Sequence, residues 1–187
     1  MKQVYVVHGY NASPAAHWFP WLKEKLQSDG IETEILHMPH PAEPKLGEWV
    51  DTIAAHANRF NRDTYVVAHS LGGITLLRYL ETANLPEPVG GMVLVSGFTK
   101  ALPNLPILDE FTAAPLDFAK IKAISGSRSV IAAKDDGIVP FASSKELAQL
   151  LDAEFYELER GGHFLGSEGF TSFPLVYELL KKGTETC

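Results

Sequence analysis

Ser70 sits in the run Val66-Val67-Ala68-His69-Ser70-Leu71-Gly72-Gly73. A serine hydroxyl is a weak nucleophile until a neighbouring base takes its proton. The run offers the setting such a serine needs. A β-branched stretch precedes it, an amphipathic stretch follows, and small residues stand two before and two after, where strand and helix come close. This is the G-x-S-x-G turn with Ala68 at the first small position. Such a turn lifts the hydroxyl out at the C-terminal end of the strand. It also points the Leu71 amide at the place where an oxyanion would form. The plainer reading makes Ser70 only a helix N-cap, a position serine favours.

The base and the orienting acid stand further along the chain. His163 lies in Gly161-Gly162-His163-Phe164, just after the last strand-like run. Lys134-Asp135-Asp136-Gly137-Ile138-Val139-Pro140 follows the fifth. The chain order Ser70, Asp136, His163 is that of α/β-hydrolases and differs from the orders in chymotrypsin and subtilisin. Taken singly, His163 reads as a loop histidine in solvent and Asp136 as turn chemistry before glycine. Asp135 and Asp136 compete for the acid role, since two carboxylates cannot both be buried against one imidazole. The Asp-x-Ile-Val-Pro spacing points to Asp136, with Asp135 as a supporting or exposed neighbour. A fourth segment, Val6-Val7-His8-Gly9-Tyr10-Asn11, follows the first strand. Its glycine lets the loop approach the nucleophile, and the Tyr10 amide becomes the second oxyanion donor beside Leu71. The His8 side chain reads as a buried, hydrogen-bonded histidine.

Six segments carry a wider resemblance. They are His8-Gly9-Tyr10-Asn11, His17-Trp18-Phe19-Pro20-Trp21, Ala68-His69-Ser70-Leu71-Gly72, Val95-Ser96-Gly97-Phe98, Asp135-Asp136-Gly137-Ile138-Val139-Pro140 and Gly162-His163-Phe164. Together they resemble the small serine hydrolases of the YdeN type, related to the retinoblastoma-binding-protein-nine group. The likeness runs in register from His8 to Phe164, with Ala68 as its departure. It implies a minimal α/β-hydrolase fold without a large cap, no cofactor, and a triad at Ser70, Asp136 and His163. It names no physiological substrate.

To bring these loops together the chain must lay its strands in parallel. Short apolar runs at Val4–Val7, Glu32–Leu36, Thr64–Ala68, Gly91–Val95, Ser129–Ala133 and Glu154–Leu158 read as strands buried on both faces. Amphipathic stretches at Ala15–Ser28, Leu46–Phe60, Leu71–Thr82, Ser143–Leu151 and Phe173–Leu180 read as the crossover helices. The expected fold is a doubly wound, mostly parallel six-stranded α/β sheet, taken as a single domain over 1–187. If it follows the hydrolase pattern the strand order is 2-1-3-4-5-6, with the ligand crevice between strands 1 and 3. Ala101–Ile124, with three prolines, breaks the rhythm and reads as a short helix plus loop over the sheet edge.

Composition narrows the function classes. The 187 residues are 45% hydrophobic and 21% charged, as in an ordinary globular domain. Sixteen Lys and Arg against 23 Asp and Glu give a net charge of −7, which argues against nucleic acid as a partner. No apolar run is long enough to span a bilayer or to serve as a signal-peptide core. The single cysteine, Cys187, has no partner for an internal disulfide, and a cytoplasmic location is expected. His37-x-x-His40 with His8 lacks the scaffold of a metal site, and no dinucleotide fingerprint follows the first strand.

The expected activity is hydrolysis of small carboxylic esters, of carboxylesterase type, through an acyl-enzyme on Ser70; amides and thioesters are further candidates. Tyr10, Trp18, Phe98 and Phe164 are the candidate apolar walls for the substrate. Trp18, Trp21 and Trp49 at helical spacing also read as core. Two other classes fit the same residues: a non-catalytic binding module on a hydrolase scaffold, and an acyltransferase in which an alcohol or amine replaces water. The oligomeric state is not legible in the sequence.

Overall fold

Short apolar runs in six strands send successive side chains to opposite sides of one sheet. In the computed structural model, which describes residues 1–185, the strands are β1 (Gln3–Val7), β2 (Glu32–Leu36), β3 (Thr64–His69), β4 (Val89–Val95), β5 (Ser125–Ala133) and β6 (Glu154–Leu158). All neighbours pair in parallel, in the order β2-β1-β3-β4-β5-β6. That is the order expected from the hydrolase pattern. The direction in which strands are added reverses between β1 and β3, so the loops leaving these two parallel strands open a crevice at their C-terminal ends. Cys187 lies outside the described residues.

The helices cover both faces, as a parallel sheet requires. On one side lie α1 (Phe19–Ser28) and the C-terminal helix, Pro174–Glu185. Their Phe19, Leu22, Leu26, Val176 and Leu180 pack against Val4, Val6, Val67, Val93 and Ile131. On the other side lie α2 (Leu46–Ala54), α3 (Leu71–Thr82) and a helix over Phe141–Leu150. Trp49, Ile53, Ile74, Leu77 and Leu147 pack there against Tyr5, Val7, Val66, Ala68 and Leu94. No helix among the described residues is long and apolar enough to cross a membrane.

Helix boundaries shift from the sequence expectation where the backbone needs a loop. The first helix begins at Phe19, not Ala15, because Trp18 is its N-cap and His17 adopts a φ of +54°. The second ends at Ala54, and a short 3-10 turn over Ala57–Arg59 completes the connection.

The larger correction concerns residues 101–124. They form two short helices, α4 (Asp109–Thr112) and α5 (Phe118–Ala123), after a 3-10 turn at Pro106–Leu108. The segment's Asn104 and Leu105 reach the crevice at the C-terminal sheet edge. The segment also packs across α3, with Leu102, Leu108, Phe111 and Ile121 buried in the same core as Ile74 and Leu77. The physical reason is Arg78. This buried α3 guanidinium donates to the carbonyls of Phe111 (2.9 Å), Pro115 (3.2 Å) and Ala114, and pairs with Glu81 at 2.8 Å. Glu81 in turn accepts from the Asp117 amide at 3.0 Å. With α2 and this segment over it, α3 is buried along Leu71–Leu80.

Replacing Arg78 by Met keeps the apolar stem but leaves those carbonyls and Glu81 unpaired. The expected loss of unfolding free energy in urea is about 2–4 kcal/mol. A loss under about 0.5 kcal/mol, the range of surface substitutions, would show that the segment is held by its apolar contacts alone.

Candidate active site

The turn between β3 and α3 forces Ser70 to φ +54° and ψ −119°, a conformation rare for any residue with a Cβ. Its backbone is held by hydrogen bonds from the Ser70 amide to Val95 O and from the Gly73 amide to Ser70 O, both 2.9 Å. Close packing explains one of the small residues. A Cβ on Gly72 would lie 2.5 Å from Val7 O and 2.8 Å from His8 O. A Cβ on Gly73 would meet only ordinary contacts near 3.9 Å. Ala68 points into the core beside α3, so its methyl is accommodated. The β1 loop is pressed onto the turn from above: a Cβ on Gly9 would stand 3.1 Å from both His69 O and the Ser70 Cβ.

The Tyr10 and Leu71 amides donate to no acceptor among the described residues. For Leu71 this follows from its place in the first turn of α3, where backbone N–H groups lack intrahelical partners. Two unengaged amides therefore flank the Ser70 turn.

Asp136 ends up buried, with all its lone-pair demand met. Oδ1 accepts from the amides of Ile138 (2.8 Å) and Val139 (2.9 Å). Oδ2 accepts from Ser96 Oγ and from His163 Nδ1, each at 2.9 Å. Nδ1 therefore carries the imidazole proton, and Nε2 is left as the basic nitrogen. Ser96 was no site candidate in its own right. It terminates β4, with φ +50° and its amide bonded to Ile131 O at 2.9 Å. A serine just past a strand's C-terminal end was the available signal.

Asp135 does something different. Its Oδ1 accepts from the amides of Gly162 (2.8 Å) and Gly161 (2.9 Å), pinning the histidine loop to the β5 loop. The Gly162 amide, reinforced by that of Gly161, holds the Asp135 carboxyl below its ordinary range. Glu168 grips the same loop through the amides of His163 (2.9 Å) and Leu165 (3.0 Å). Gly162 is required there: it sits at φ +55°, and a Cβ would fall 2.1 Å from Glu168 Oε1.

Two further histidines attach to this loop. His69 Nε2 donates to the His163 carbonyl at 2.8 Å, and its ring lies 4.9 Å from the His163 ring. Burial first, and then the neighbouring His163, holds its pKa well below the usual histidine value, so His69 is neutral. His17 Nδ1 accepts from the Gly166 amide at 2.9 Å. His8 is fully buried, its Nδ1 donating to Gly9 O at 2.9 Å and its Nε2 accepting from the Met38 amide at 3.3 Å. Burial lowers its pKa also, and its role is to brace the β1 loop.

Ser70 and His163 line one cavity of about 320 Å³, together with Gly9, Tyr10, His17 and His69. Its outer walls are Leu105, Ile138 and Leu165, with Asn11, Ala12 and Asn104. Of the four wall residues expected from sequence, Tyr10 is there and the other three are not. Trp18 is buried beneath His69, against Phe19 and Phe173. Phe98 is buried in the α3-side core. Phe164, at φ +57°, turns away and stacks on Phe173 at 4.9 Å. Each follows a site residue or motif in the chain, yet each burial faces inward. Ile138 and Leu165 stand two residues past Asp136 and His163, a spacing that could have nominated them. Leu105 belongs to the irregular segment and gave no signal. No three His, Cys, Asp or Glu side chains among the described residues gather to hold a metal ion, the His37–His40 pair included.

A hydroxyl and an imidazole at one cavity, a carboxylate on the far side of that imidazole and two unengaged amides are the parts acyl transfer uses. Comparison with known proteins points the same way. The serine hydrolase family model matches residues 4–182. The chain is 53% identical to YdeN of Bacillus subtilis (strain 168) over 179 residues, covering 96% of this chain and 94% of YdeN. It is 28% identical to the serine hydrolase RBBP9 of Rattus norvegicus over 182 residues, covering 96% of this chain and 95% of that one. The crystal structure of the ydeN gene product superposes with a TM-score of 0.98 at 51% identity, covering 100% of both chains.

Packing around the turn makes its two glycines separable. Gly72→Ala is expected to cost about 1–3 kcal/mol in urea unfolding, because a backbone carbonyl must move. Gly73→Ala is expected to be neutral or stabilising by up to about 1 kcal/mol, as for an ordinary helical glycine. Equal effects would refute this account of the motif. Asp135 gives a pH-dependent expectation. Its carboxyl is depressed in the folded chain, so its contribution is complete above the unfolded value, about 3.9, and fades as pH falls through the lower folded value. Thermal melts of wild type and Asp135→Ala should differ at neutral pH and converge on acidification.

Proposed function

The chain belongs to the serine hydrolase family, and from that premise we propose that it hydrolyses small, uncharged carboxylic esters through a Ser70–His163–Asp136 triad. One observation carries the reading: the imidazole that shares a cavity with Ser70 is bonded through Nδ1 to a buried carboxylate at 2.9 Å. His163 Nε2 takes the Ser70 proton as Oγ attacks the ester carbonyl. Asp136 fixes the tautomer and stabilises the imidazolium that forms. The Tyr10 and Leu71 amides receive the oxyanion. His163 then hands its proton to the departing alkoxide, leaving an acyl-serine. Water, deprotonated by the same nitrogen, attacks the acyl group. Collapse of the second tetrahedral species releases the acid and returns the proton to Ser70.

Size and charge of the cavity support the substrate class. About 320 Å³ is at the small end for ligand pockets. No Lys, Arg, Asp or Glu side chain lines it, so nothing there would compensate a desolvated charge. Short acyl chains without ionic groups fit these walls.

Ser70→Ala should abolish turnover of p-nitrophenyl butanoate, with a fall in kcat on the order of 10⁶. A fluorophosphonate should label Ser70 in wild type and fail to label it in His163→Ala. Near-wild-type hydrolysis by Ser70→Ala would remove that serine from the reaction. Among p-nitrophenyl esters, butanoate should exceed both hexadecanoate and hemisuccinate in kcat/KM by at least about tenfold, since leaving one polar contact unmet already costs that much. Equal rates on the hemisuccinate would refute the exclusion of charge.

A further inference from the structure

We propose that His17 is a substrate-binding residue whose Nε2–H donates a hydrogen bond to an uncharged acceptor oxygen on the ester, outside the scissile carbonyl. The proposal rests on the esterase reading and deepens it by adding one polar feature to the substrate.

His17 lines the cavity that holds Ser70 and His163. Its tautomer is dictated by the fold. The Gly166 amide donates to Nδ1 at 2.9 Å, so Nδ1 is an acceptor and the ring proton is on Nε2. A protonated ring would place a donor against that amide, and burial with the adjacent His163 already disfavours the cation. Nε2–H has no acceptor among the described residues, and it is not sealed from solvent. It is thus a fixed donor on a ring that lines the cavity, with no acceptor among the described residues to receive it.

The backbone also bears a cost to keep the ring there. His17 sits at φ +54°, where residues with a Cβ are uncommon, in the loop before α1. Its ring is wedged edge-on to Phe19 (5.4 Å) and His69 (5.7 Å), which limits its rotation. The other amide-bearing groups of the lining are less fixed. Asn11 and Asn104 are exposed, and Asn104 already donates weakly to Ile138 O at 3.4 Å. A rigid, unpaired, neutral donor recognises a neutral acceptor such as an ether, hydroxyl or second ester oxygen. A site built around such a donor discriminates against substrates that lack the acceptor.

The acceptor could sit on either side of the scissile bond, and matched isosteric esters separate the two. In the acyl arm, p-nitrophenyl methoxyacetate is compared with p-nitrophenyl butanoate. In the alcohol arm, 2-methoxyethyl butanoate is compared with n-butyl butanoate. The variant is His17→Asn: Asn Oδ1 can replace Nδ1 as acceptor for the Gly166 amide, and asparagine tolerates positive φ, but the Nε2–H is gone. The ratio of kcat/KM for the ether ester over the alkyl ester should fall about fivefold from wild type to variant in one arm, the worth of one neutral hydrogen bond. Dividing by the variant cancels the intrinsic reactivity of each ester. A ratio changed by less than about twofold in both arms, the low end of a hydrogen bond's worth, overturns the role of His17 while leaving the esterase intact. Wild type that turns over none of the four esters removes the esterase reading itself, and this proposal with it. Wild-type protein provides a second readout should the variant fail to fold. ¹⁵N spectra of the His17 ring should show the Nε2–H tautomer, with that signal moving when Ser70 carries a phosphonate bearing methoxyethyl in place of butyl, on phosphorus for the acyl side or on the ester oxygen for the alcohol side. The Nδ1–H tautomer, or no difference between the adducts, overturns the proposal.

Discussion

Asp136 is the constraint around which the site is built. A carboxylate at 2% side-chain exposure is tolerable only if its oxygens are engaged, because an unpaired buried charge costs several kcal/mol. Four donors meet that demand, and they come from three places: two amides just beyond β5, a hydroxyl beyond β4 and the imidazole beyond β6. Satisfying one charge therefore ties together three consecutive loops on the same sheet edge. The imidazole is oriented as a by-product of that satisfaction, with its second nitrogen left free for chemistry. Stability and orientation are here the same set of hydrogen bonds.

The remaining loops are fixed by a different device, side chains bonded to backbone. Asp135 and Glu168 together collect four amides from residues 161–165. His69, adjacent in sequence to Ser70, takes the His163 carbonyl. The turn that carries Ser70 and the histidine loop are thus joined directly through a neutral imidazole. Because the loop's own conformation is irregular, with positive φ at Gly162 and Phe164, it has no ladder to satisfy its polar groups. Side chains from two other segments, together with Glu168 further along the same loop, replace that ladder. A positioned site of this kind needs little reorganisation when charge develops in it.

The far wall of the cavity depends on Arg78, far from the reacting atoms. By collecting three carbonyls of residues 111–115 it holds the irregular segment over α3, and the segment carries Leu105 to the cavity. Cavity shape is therefore set partly by a guanidinium in the middle of a helix. That connection is invisible to any reading of the site as a list of its lining residues.

Much of this was legible in the residues. Short, continuous apolar runs located all six strands, because burial on both faces leaves few other ways to use Val4–Val7 or Ser129–Ala133. Strand order came from a family pattern, and the parallel pairing then put Ser70, Asp136 and His163 on one edge, whatever the loops did. Small residues near Ser70 announced a tight turn, although packing shows that Gly72 needs its hydrogen and Gly73 does not. The sequence could not say which way a loop side chain turns. Trp18, Phe98 and Phe164 neighbour site residues in the chain, yet positive φ at His17 and Phe164 and the pull of the core send them inward. Nor could it reveal that Ser96, His69 and Asp135 hold the site, since each acts on a group 26 to 94 residues away in the chain. Local periodicity is written in neighbouring residues, so the sequence by itself determined the sheet and the edge on which chemistry gathers. Hydrogen-bond partners of loop groups depend on distances between remote segments, so only the tertiary structure decided what holds the imidazole and what walls the cavity.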